Sequence, residues 1–257
     1  MKTFVLLSIL LLAPQVRADA VTIAAASDLQ YAMKALIEAF RAQEPEAQLK
    51  VVYGSSGNFN AQITQGAPFD LYFSADIAYP QALHAAGHAA MAPRPYATGR
   101  LVIWSTSLDV SSIDPAALSD PGFERIAIAN PAHAPYGQRA EEALQSLGIL
   151  ESVRTRLVLG DNIAQAAQFV QTGNADAGIV ALSLVAAPSS REGGWYQLLP
   201  EQLHAPLVQG FIVTRRARDN ALAWRFAGFV GTAAASQILA DFGFAPVAAA
   251  SAAATAE

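Results

Sequence analysis

Residues 21–40 read VTIAAASDLQYAMKALIEAF, and this stretch decides the fold. Its first residues, Val21 to Ala24, form a short apolar run that predicts a buried strand. From Asp28 onward, apolar side chains recur at helical spacing and predict one buried helix face, made of Leu29, Met33, Leu36, Ile37 and Phe40. A strand that leads directly into an amphipathic helix is the repeating unit of α/β proteins.

The same strand-then-helix unit recurs along the chain. Further apolar runs predict strands at 49–53, 71–73, 101–104, 126–129, 157–159, 178–180, 195–199 and 208–214. Helical patterns fall at 59–65, 80–86, 137–147, 163–172, 220–229 and 236–241. This alternation predicts an α/β fold with parallel sheets.

Two apolar strands, 101–104 and 208–214, flank the second half of the alternation. They predict two lobes joined by a hinge, because each strand then serves as a crossover between the lobes. We expect residues 19–100 and 212–245 in lobe 1 and residues 101–211 in lobe 2. The alanine- and serine-rich residues 246–257 have no apolar face to bury and predict a frayed tail.

The N-terminus has the features of a secretory signal peptide. Lys2 is followed by an apolar run from Phe4 to Ala13, and small residues precede a cleavage site after Ala18. Cleavage after Ala20 also fits. The apolar run is too short to span a bilayer, which takes about 20 residues. We therefore expect residues 1–18 to be removed on export to the periplasm.

Composition excludes several classes of protein. The 257 residues contain no cysteine, which excludes disulfides, thiolate metal sites, a thiol nucleophile and a lipid anchor on cysteine. The formal charge of −5 opposes nucleic-acid binding, which needs a basic surface. His84 and His88 have a zinc-compatible spacing, but no accompanying carboxylate pattern supports a site. We expect no metal ligands and no cofactor.

Four predicted strand-to-helix turns carry the chemistry. They are Ala26-Ser27-Asp28, Gly54-Ser55-Ser56-Gly57, Pro135-Tyr136-Gly137 and Asp161-Asn162-Ile163. The first N–H groups of a helix have no internal partner and attract anions. In open α/β sheets, ligands lie beyond the carboxyl ends of the strands. Two turns from each lobe would surround a small anion.

Each turn taken alone is more typical of an ordinary helix cap, since Ser, Asp and Asn are common cap residues. The set is more informative, because none of the four turns contains lysine or arginine. Arg139 is the nearest cation, and its helix face can direct it elsewhere. A cleft lined by hydroxyls and N–H groups suits a fully ionised, compact oxyanion.

At these residues the sequence resembles the periplasmic molybdate-binding proteins of ABC transporters. The similarity lies in the segments AAAS at 24–27, GSSG at 54–57, GAPFD at 66–70 with FSAD at 73–76, and NPAHAPYG at 130–137. It extends in order from about Val21 to Phe244. The resemblance implies a two-lobed periplasmic binding protein of type II, with molybdate or tungstate as the ligand.

The resemblance also implies the ligand contacts. Ser27 and Ser56 would bind through hydroxyl and N–H groups, and Tyr136 and Ile163 through N–H groups at helix starts. Some members place a ligand tyrosine where this chain has Ala181, so we expect the Tyr136 hydroxyl to replace it. Ser55, Asn162, Ala181 and Asp28 are weaker candidates. A carboxylate at Asp28 would repel a dianion, and we expect it to point away from the cleft.

Three functions stay open at this point. The first is a monomeric receptor that delivers molybdate or tungstate to an ABC permease and its ATPase. The second is a receptor for phosphate or sulfate, since Asp28 facing the cleft could accept the proton of hydrogen phosphate. The third is an exported α/β hydrolase or transferase, which needs a nucleophile paired with a base. Neither Ser27 nor Ser56 has a histidine nearby in sequence, and we expect no enzyme.

Overall fold

The computed structural model describes residues 20–186 and 193–247. The predicted signal peptide and nearly all of the predicted tail lie outside these ranges. The described residues form two five-stranded sheets, one in each lobe. Among them, no helix is long and apolar enough to cross a membrane.

The first sheet has the strand order β2-β1-β3-β10-β4. Its members are β1 (Ala20–Ala26), β2 (Gln48–Gly54), β3 (Leu71–Ser74), β4 (Arg94–Gly99) and β10 (Leu207–Val213). Strand β1 pairs in parallel with β2 and β3, whereas β10 pairs antiparallel with β3 and β4.

The second sheet has the order β7-β6-β8-β5-β9. Its members are β5 (Leu101–Ser105), β6 (Ile126–Ala129), β7 (Leu157–Gly160), β8 (Ala177–Ala181) and β9 (Trp195–Leu198). Strand β6 pairs in parallel with β7 and β8, and β5 pairs antiparallel with β8 and β9.

The predicted parallel pairing is found in part of each sheet, among β2, β1 and β3 and among β7, β6 and β8, and antiparallel strands complete both sheets. Parallel neighbours need a crossover connection, usually a helix. Strand β5 instead follows β4 after the single residue Arg100, and β10 returns to the first sheet from β9 without an α-helix between them. The two crossovers thus enter their sheets antiparallel to a neighbour.

One lobe boundary and one strand differ from the sequence prediction. Strand β10 pairs with the first sheet from Leu207 onward, so the expected lobe boundary at 211/212 falls inside this strand. Strand β4 had no predicted counterpart, because Pro95 interrupts its apolar pattern. Proline is tolerated there because β4 lies at the sheet edge.

Nine α-helices cover the sheets in the described residues. They are α1 (Gln30–Arg41), α2 (Ser56–Thr64), α3 (Ala78–Ala85), α4 (Pro135–Ser146), α5 (Leu150–Val153), α6 (Ile163–Gln171), α7 (Leu182–Val185), α8 (Ala221–Val230) and α9 (Ala233–Asp241). The apolar face predicted for α1 is buried, which confirms the helical spacing read from the sequence. A short 3-10 turn at Ser27–Leu29 precedes this helix.

Aromatic rings anchor the C-terminal helices to the first lobe. Phe226 of α8 is fully buried, and its ring meets Phe40 of α1 edge to face at 5.1 Å. Phe73 of β3 stacks on Phe211 of β10 at 4.9 Å. Helices α8 and α9 therefore belong to the first lobe, although they follow the second lobe in the chain.

We expect Phe226→Ala to lower the free energy of unfolding by about 3–5 kcal/mol, since it removes a buried ring and leaves a cavity. Arg225→Ala is the matched control on the same helix. Arg225 is half exposed and pairs with Glu44 at the surface, so its loss should cost at most about 1 kcal/mol. Urea unfolding of both variants measures the difference, and equal losses would contradict this description of the core.

Candidate functional site

The strand ends of both sheets meet at one small cavity. It lies between the lobes, is partly open to solvent and has a volume of about 10 Å³. Its lining consists of Ala26, Ser27, Asp28, Gly54, Ser55, Ser56, Ala75, Ala134, Pro135, Tyr136 and Ile163. The four main residues expected from the sequence, Ser27, Ser56, Tyr136 and Ile163, all lie in this lining. Asp28 and Ser55 line it too, whereas Asn162 and Ala181 do not.

Ser56 presents a free hydroxyl hydrogen on the first-lobe side. It is the first residue of α2, and its Oγ accepts a hydrogen bond from the Ala75 N–H at 3.0 Å. Since that bond uses a lone pair, the hydroxyl hydrogen stays available. The carbonyl of Ser56 accepts a hydrogen bond from the Tyr72 hydroxyl at 2.7 Å, and this bond holds the start of α2 against β3.

Ser27 joins the two lobes at the edge of the cavity. Its hydroxyl donates to Asn162 Oδ1 at 3.0 Å and accepts from the Ala164 N–H at 3.2 Å. Asn162 is the N-cap of α6, and its Oδ1 also accepts from the Gln165 N–H at 3.1 Å. The first turn of α6 is thereby held against the turn that follows β1.

On the second-lobe side, two helices begin at the cavity wall. In α6, Ala164 and Gln165 already donate to side chains, which leaves the Ile163 N–H as the donor of the first turn without a partner in the described part of the chain. In α4, Pro135 has no N–H and Ala134 offers no side-chain cap, so Tyr136 carries the first donor. An anion in the cavity could accept a hydrogen bond from each of these N–H groups.

Ser55 and His133 form a second junction between the lobes. Ser55 is the N-cap of α2, and its Oγ lies 3.0 Å from His133 Nδ1. The Gly57 N–H donates to the His133 carbonyl at 2.9 Å. A Cβ at Gly57 would lie 2.7 Å from that carbonyl oxygen, so the close approach requires glycine.

Asp28 lies at the floor of the cavity with no exposed surface. Its Oδ2 accepts from the Tyr136 hydroxyl at 3.0 Å and from Gln209 Nε2 at 2.6 Å, while Oδ1 has no partner. Burial raises the pKa of Asp28 to about 6, against the opposing effect of these two donors and of the backbone N–H groups of Asp28 and Leu29. The carboxyl reaches Tyr136 of the second lobe, and its expected orientation away from the bound anion stays a prediction.

The Tyr136 hydroxyl is committed to this network and not to the cavity. It donates to Asp28 and accepts from Gln209 at 3.1 Å. A Cβ at Gly99 would collide with it, so the hydroxyl fills the space above that glycine. Its proposed role as substitute for the tyrosine absent at Ala181 stays a prediction.

Two buried residues of the network were not predicted from the sequence. Gln209 is fully buried in β10, and Tyr96 of β4 donates to its Oε1 at 2.5 Å. The available signal was a single amide within the otherwise apolar strand LVQGFIV at 207–213. A polar side chain at such a position needs a buried partner.

Among the residues that the structure describes, no cationic side chain lines the cavity. Arg139, the cation nearest in sequence, pairs instead with Asp76 of the first lobe at 3.3 Å and with Glu142 on its own helix. The part of the chain that the structure describes also contains no cluster of three histidine, aspartate or glutamate side chains able to hold a metal. The chemistry of the cavity is that of neutral hydrogen-bond donors.

A family model described as bacterial extracellular solute-binding protein matches residues 21–245. The chain belongs to this family. Molybdate-binding protein ModA of Azotobacter vinelandii is 35% identical over 237 residues, covering 91% of this chain and 93% of that protein. ModA of Rhodobacter capsulatus is 38% identical over 199 residues, covering 75% of each. The solved periplasmic molybdate-binding protein of A. vinelandii matches with a TM-score of 0.82 and 30% identity, covering 87% of this chain and 98% of that one.

Family membership confirms three predictions. The two-lobed binding-protein fold is confirmed by the structural match, as is the resemblance read from the motifs. The prediction of a binding protein rather than an enzyme is confirmed, because the family supplies solutes for transport. Its extracellular assignment agrees with the expectation of a protein that works in the periplasm.

The Ser55–His133 contact is compared here with the catalytic triad of a hydrolase. Asp161 lies 3.8 Å from His133 Nε2, so the three residues have the composition of a hydrolytic triad. The Asp161 side chain is 63% exposed, however, and lies beyond hydrogen-bond distance. In this solute-binding protein the contact joins the lobes.

Asp28 gives the protein a testable pH dependence. Its pKa is about 6 in the folded protein and about 3.9 in an unfolded chain, so the folded state binds the proton more tightly. The stability that this group contributes is therefore fully present well below pH 4 and is lost as the pH rises through 6. We expect the free energy of unfolding of wild type minus that of Asp28→Asn to fall by about 2 kcal/mol between pH 4 and pH 6.

Urea unfolding at pH 4, 5, 6 and 7 checks this expectation. Asp219→Asn is the control, because it makes the same chemical change at an exposed carboxylate far from the cavity lining. A wild-type minus Asp28→Asn difference that stays constant with pH would refute the assignment.

Proposed function

We propose that this protein captures molybdate in the cavity between its lobes and delivers it to an ABC permease and its ATPase. The observation that carries the proposal is the convergence of hydroxyl and N–H donors from both lobes on one small cavity, whose lining among the described residues contains no cation. The proposal is supported by the relatives named above. They are molybdate-binding proteins, and this chain matches them over most of their length.

The donors assigned to the anion are the hydroxyls of Ser27 and Ser56 and the N–H groups of Tyr136 and Ile163. Ser56 can donate without breaking any bond. Ser27 exchanges its bond to Asn162 for one to the anion, and Asn162 Oδ1 keeps the Gln165 N–H as a partner. Asn162 and Ser55 thus position the site, and Ala181 makes no contact, since it lies outside the lining.

Neutral donors suit a dianion for an electrostatic reason. Partial charges at the starts of α4 and α6 favour a negative ligand, and the bound charge is spread over several hydrogen bonds. Cavity size then selects among tetrahedral oxyanions. Tungstate has the same charge and nearly the same size as molybdate, so we propose that it binds too, whereas phosphate and sulfate bind more weakly.

The remaining features of the proposal concern export and assembly. We propose that residues 1–18 are a cleaved signal peptide and that the mature protein acts as a free monomer. Contacts such as Ser27–Asn162 and Asp76–Arg139 stabilise the closed arrangement of the lobes. A ligand that adds bonds to both lobes shifts the population toward this closed form, which the permease then recognises.

Thermal unfolding in the presence of molybdate, tungstate, sulfate and phosphate tests the function. At a ligand concentration about 100 times the dissociation constant, stability should rise by about 2.7 kcal/mol. We expect large shifts with molybdate and tungstate. A shift with phosphate or sulfate and none with molybdate would overturn the proposal in favour of another oxyanion receptor.

Ser27→Ala tests the donor assignment. Loss of one hydrogen bond to a charged ligand costs about 1.5–3 kcal/mol, so the dissociation constant for molybdate should rise by about 10- to 100-fold. Ser152→Ala, at an exposed position of α5, is the control and should bind as wild type does. Unchanged affinity in Ser27→Ala, measured by calorimetry, would remove Ser27 from the site.

A further inference from the structure

An ion pair between Asp76 of the first lobe and Arg139 of the second crosses the cleft beside the cavity. Asp76 directly follows Ala75, a residue of the cavity lining whose N–H donates to the Ser56 hydroxyl. Arg139 lies about one helical turn after Tyr136, whose N–H is the first donor of α4. The pair therefore connects the wall that carries Ser56 to the wall that carries Tyr136.

Local hydrogen bonds hold Asp76 in one position on the first lobe. Its N–H donates to Ser74 Oγ at 3.1 Å, and its carbonyl accepts from the same hydroxyl at 2.7 Å. Its Oδ1 accepts from the Ala78 N–H at 2.8 Å, at the start of α3. The other oxygen, Oδ2, accepts from Arg139 Nη2 at 3.3 Å. The carboxylate is thus fixed by its own lobe, with one oxygen directed at the other lobe.

Glu142 holds the guanidinium of Arg139 on the second lobe. One oxygen of Glu142 accepts from Arg139 Nη1, and the other accepts from the Ala205 N–H at 2.9 Å. Ala205 lies in the crossing that leads from β9 to β10. Because Arg139 and Glu142 lie on the same helix, their bond does not depend on the arrangement of the lobes. Both partners of the interlobe pair are therefore preorganised, which lowers the entropy cost of forming it.

The interlobe pair is largely shielded from water. The side chains of Arg139 and Asp76 are 15% and 20% exposed. Charges in such a position are screened less than those of an exposed pair. Arg139 Nε is buried without a hydrogen-bond partner in the described part of the chain, and a buried polar atom of this kind calls for a functional reason. A movement that separates the lobes breaks the pair, so it belongs to the closed arrangement.

The charges around Arg139 indicate that it does not act by attracting the anion. The guanidinium pairs with two carboxylates, those of Asp76 and Glu142, so this group of three has an excess of negative charge. A cation compensated in this way adds no net attraction for a dianion. Neither Asp76 nor Arg139 belongs to the cavity lining. Their effect on binding has to come through the arrangement of the lobes.

We propose that Asp76 and Arg139 form a latch that sets the rate at which the bound anion is released. The pair forms as the lobes close and breaks before they open, so it lengthens the residence of the anion and leaves the rate of capture unchanged. This inference rests on the proposed function and deepens it, because it names the residues that govern release. Both are positioning residues, and neither touches the anion.

Exchange of radiolabelled molybdate for an excess of unlabelled molybdate measures the release rate of the mature protein. We expect Asp76→Asn and Arg139→Gln each to raise the dissociation rate constant about tenfold and to leave the association rate constant within about twofold of wild type. The double variant should release the anion no faster than either single variant, because both changes remove the same contact. Asn at position 76 keeps an oxygen for the Ala78 N–H, so the start of α3 is preserved.

Glu44→Gln and Arg225→Gln are the matched controls. Glu44 and Arg225 form an ion pair at 2.8 Å between elements of the first lobe, so it does not cross the cleft. Both variants should release molybdate at the wild-type rate.

The sign of the Asp76→Asn effect separates a latch from a simple charge effect. Removal of a negative charge near the cavity strengthens binding of a dianion if long-range electrostatics dominate, whereas loss of the latch weakens it. Unchanged or slower release from Asp76→Asn, or effects that add in the double variant, overturns the inference and leaves the function standing. Equally fast release from the two controls also overturns it. Absence of molybdate binding by wild type overturns both. Arg139→Gln decides the matter if Asp76→Asn fails to fold.

Discussion

Unpaired N–H and hydroxyl donors at the starts of helices are the feature on which the rest of this structure depends. A buried donor without a partner is costly, and a helix start leaves several of them. Here the helix starts of both lobes surround one small cavity. A compact anion is the ligand that would satisfy these donors together, so the fold and the proposed chemistry have the same origin.

The two lobes meet through contacts that also shape the cavity. Ser27 bonds to the first turn of α6, and the Gly57 N–H bonds to the His133 carbonyl. Within residues 20–186 and 193–247, two chain crossings connect the lobes, and one of them is the single residue Arg100 between β4 and β5. Short crossings allow a hinge movement while each sheet stays intact, which is how a solute-binding protein encloses and releases its ligand.

Much of the fold could be predicted from the sequence, because strand and helix patterns are local. The apolar face of α1 and most strands lie where periodicity places them. Strand direction could not be predicted in the same way, since it depends on which neighbour each crossover strand joins. Strand β4 was missed because Pro95 interrupts a pattern that an edge position tolerates.

The site residues also fall into those that local sequence pattern indicates and those that only the fold brings together. Ser27, Ser56, Tyr136 and Ile163 lie in turns directly after strands, so local pattern and family resemblance together indicate them. The Asp28–Tyr136–Gln209 network could not be found in this way, because Gln209 lies 181 residues from Asp28 in the chain. Only the folded arrangement brings these three side chains together.

The position of the bound anion tests the central claim most directly. Crystals grown with molybdate, measured at the molybdenum absorption edge, would locate the metal by its anomalous signal. The account predicts one peak inside the cavity, with anion oxygens about 3 Å from the hydroxyls of Ser27 and Ser56 and from the N–H groups of Tyr136 and Ile163. A peak outside this cavity, held by lysine or arginine side chains, would contradict it.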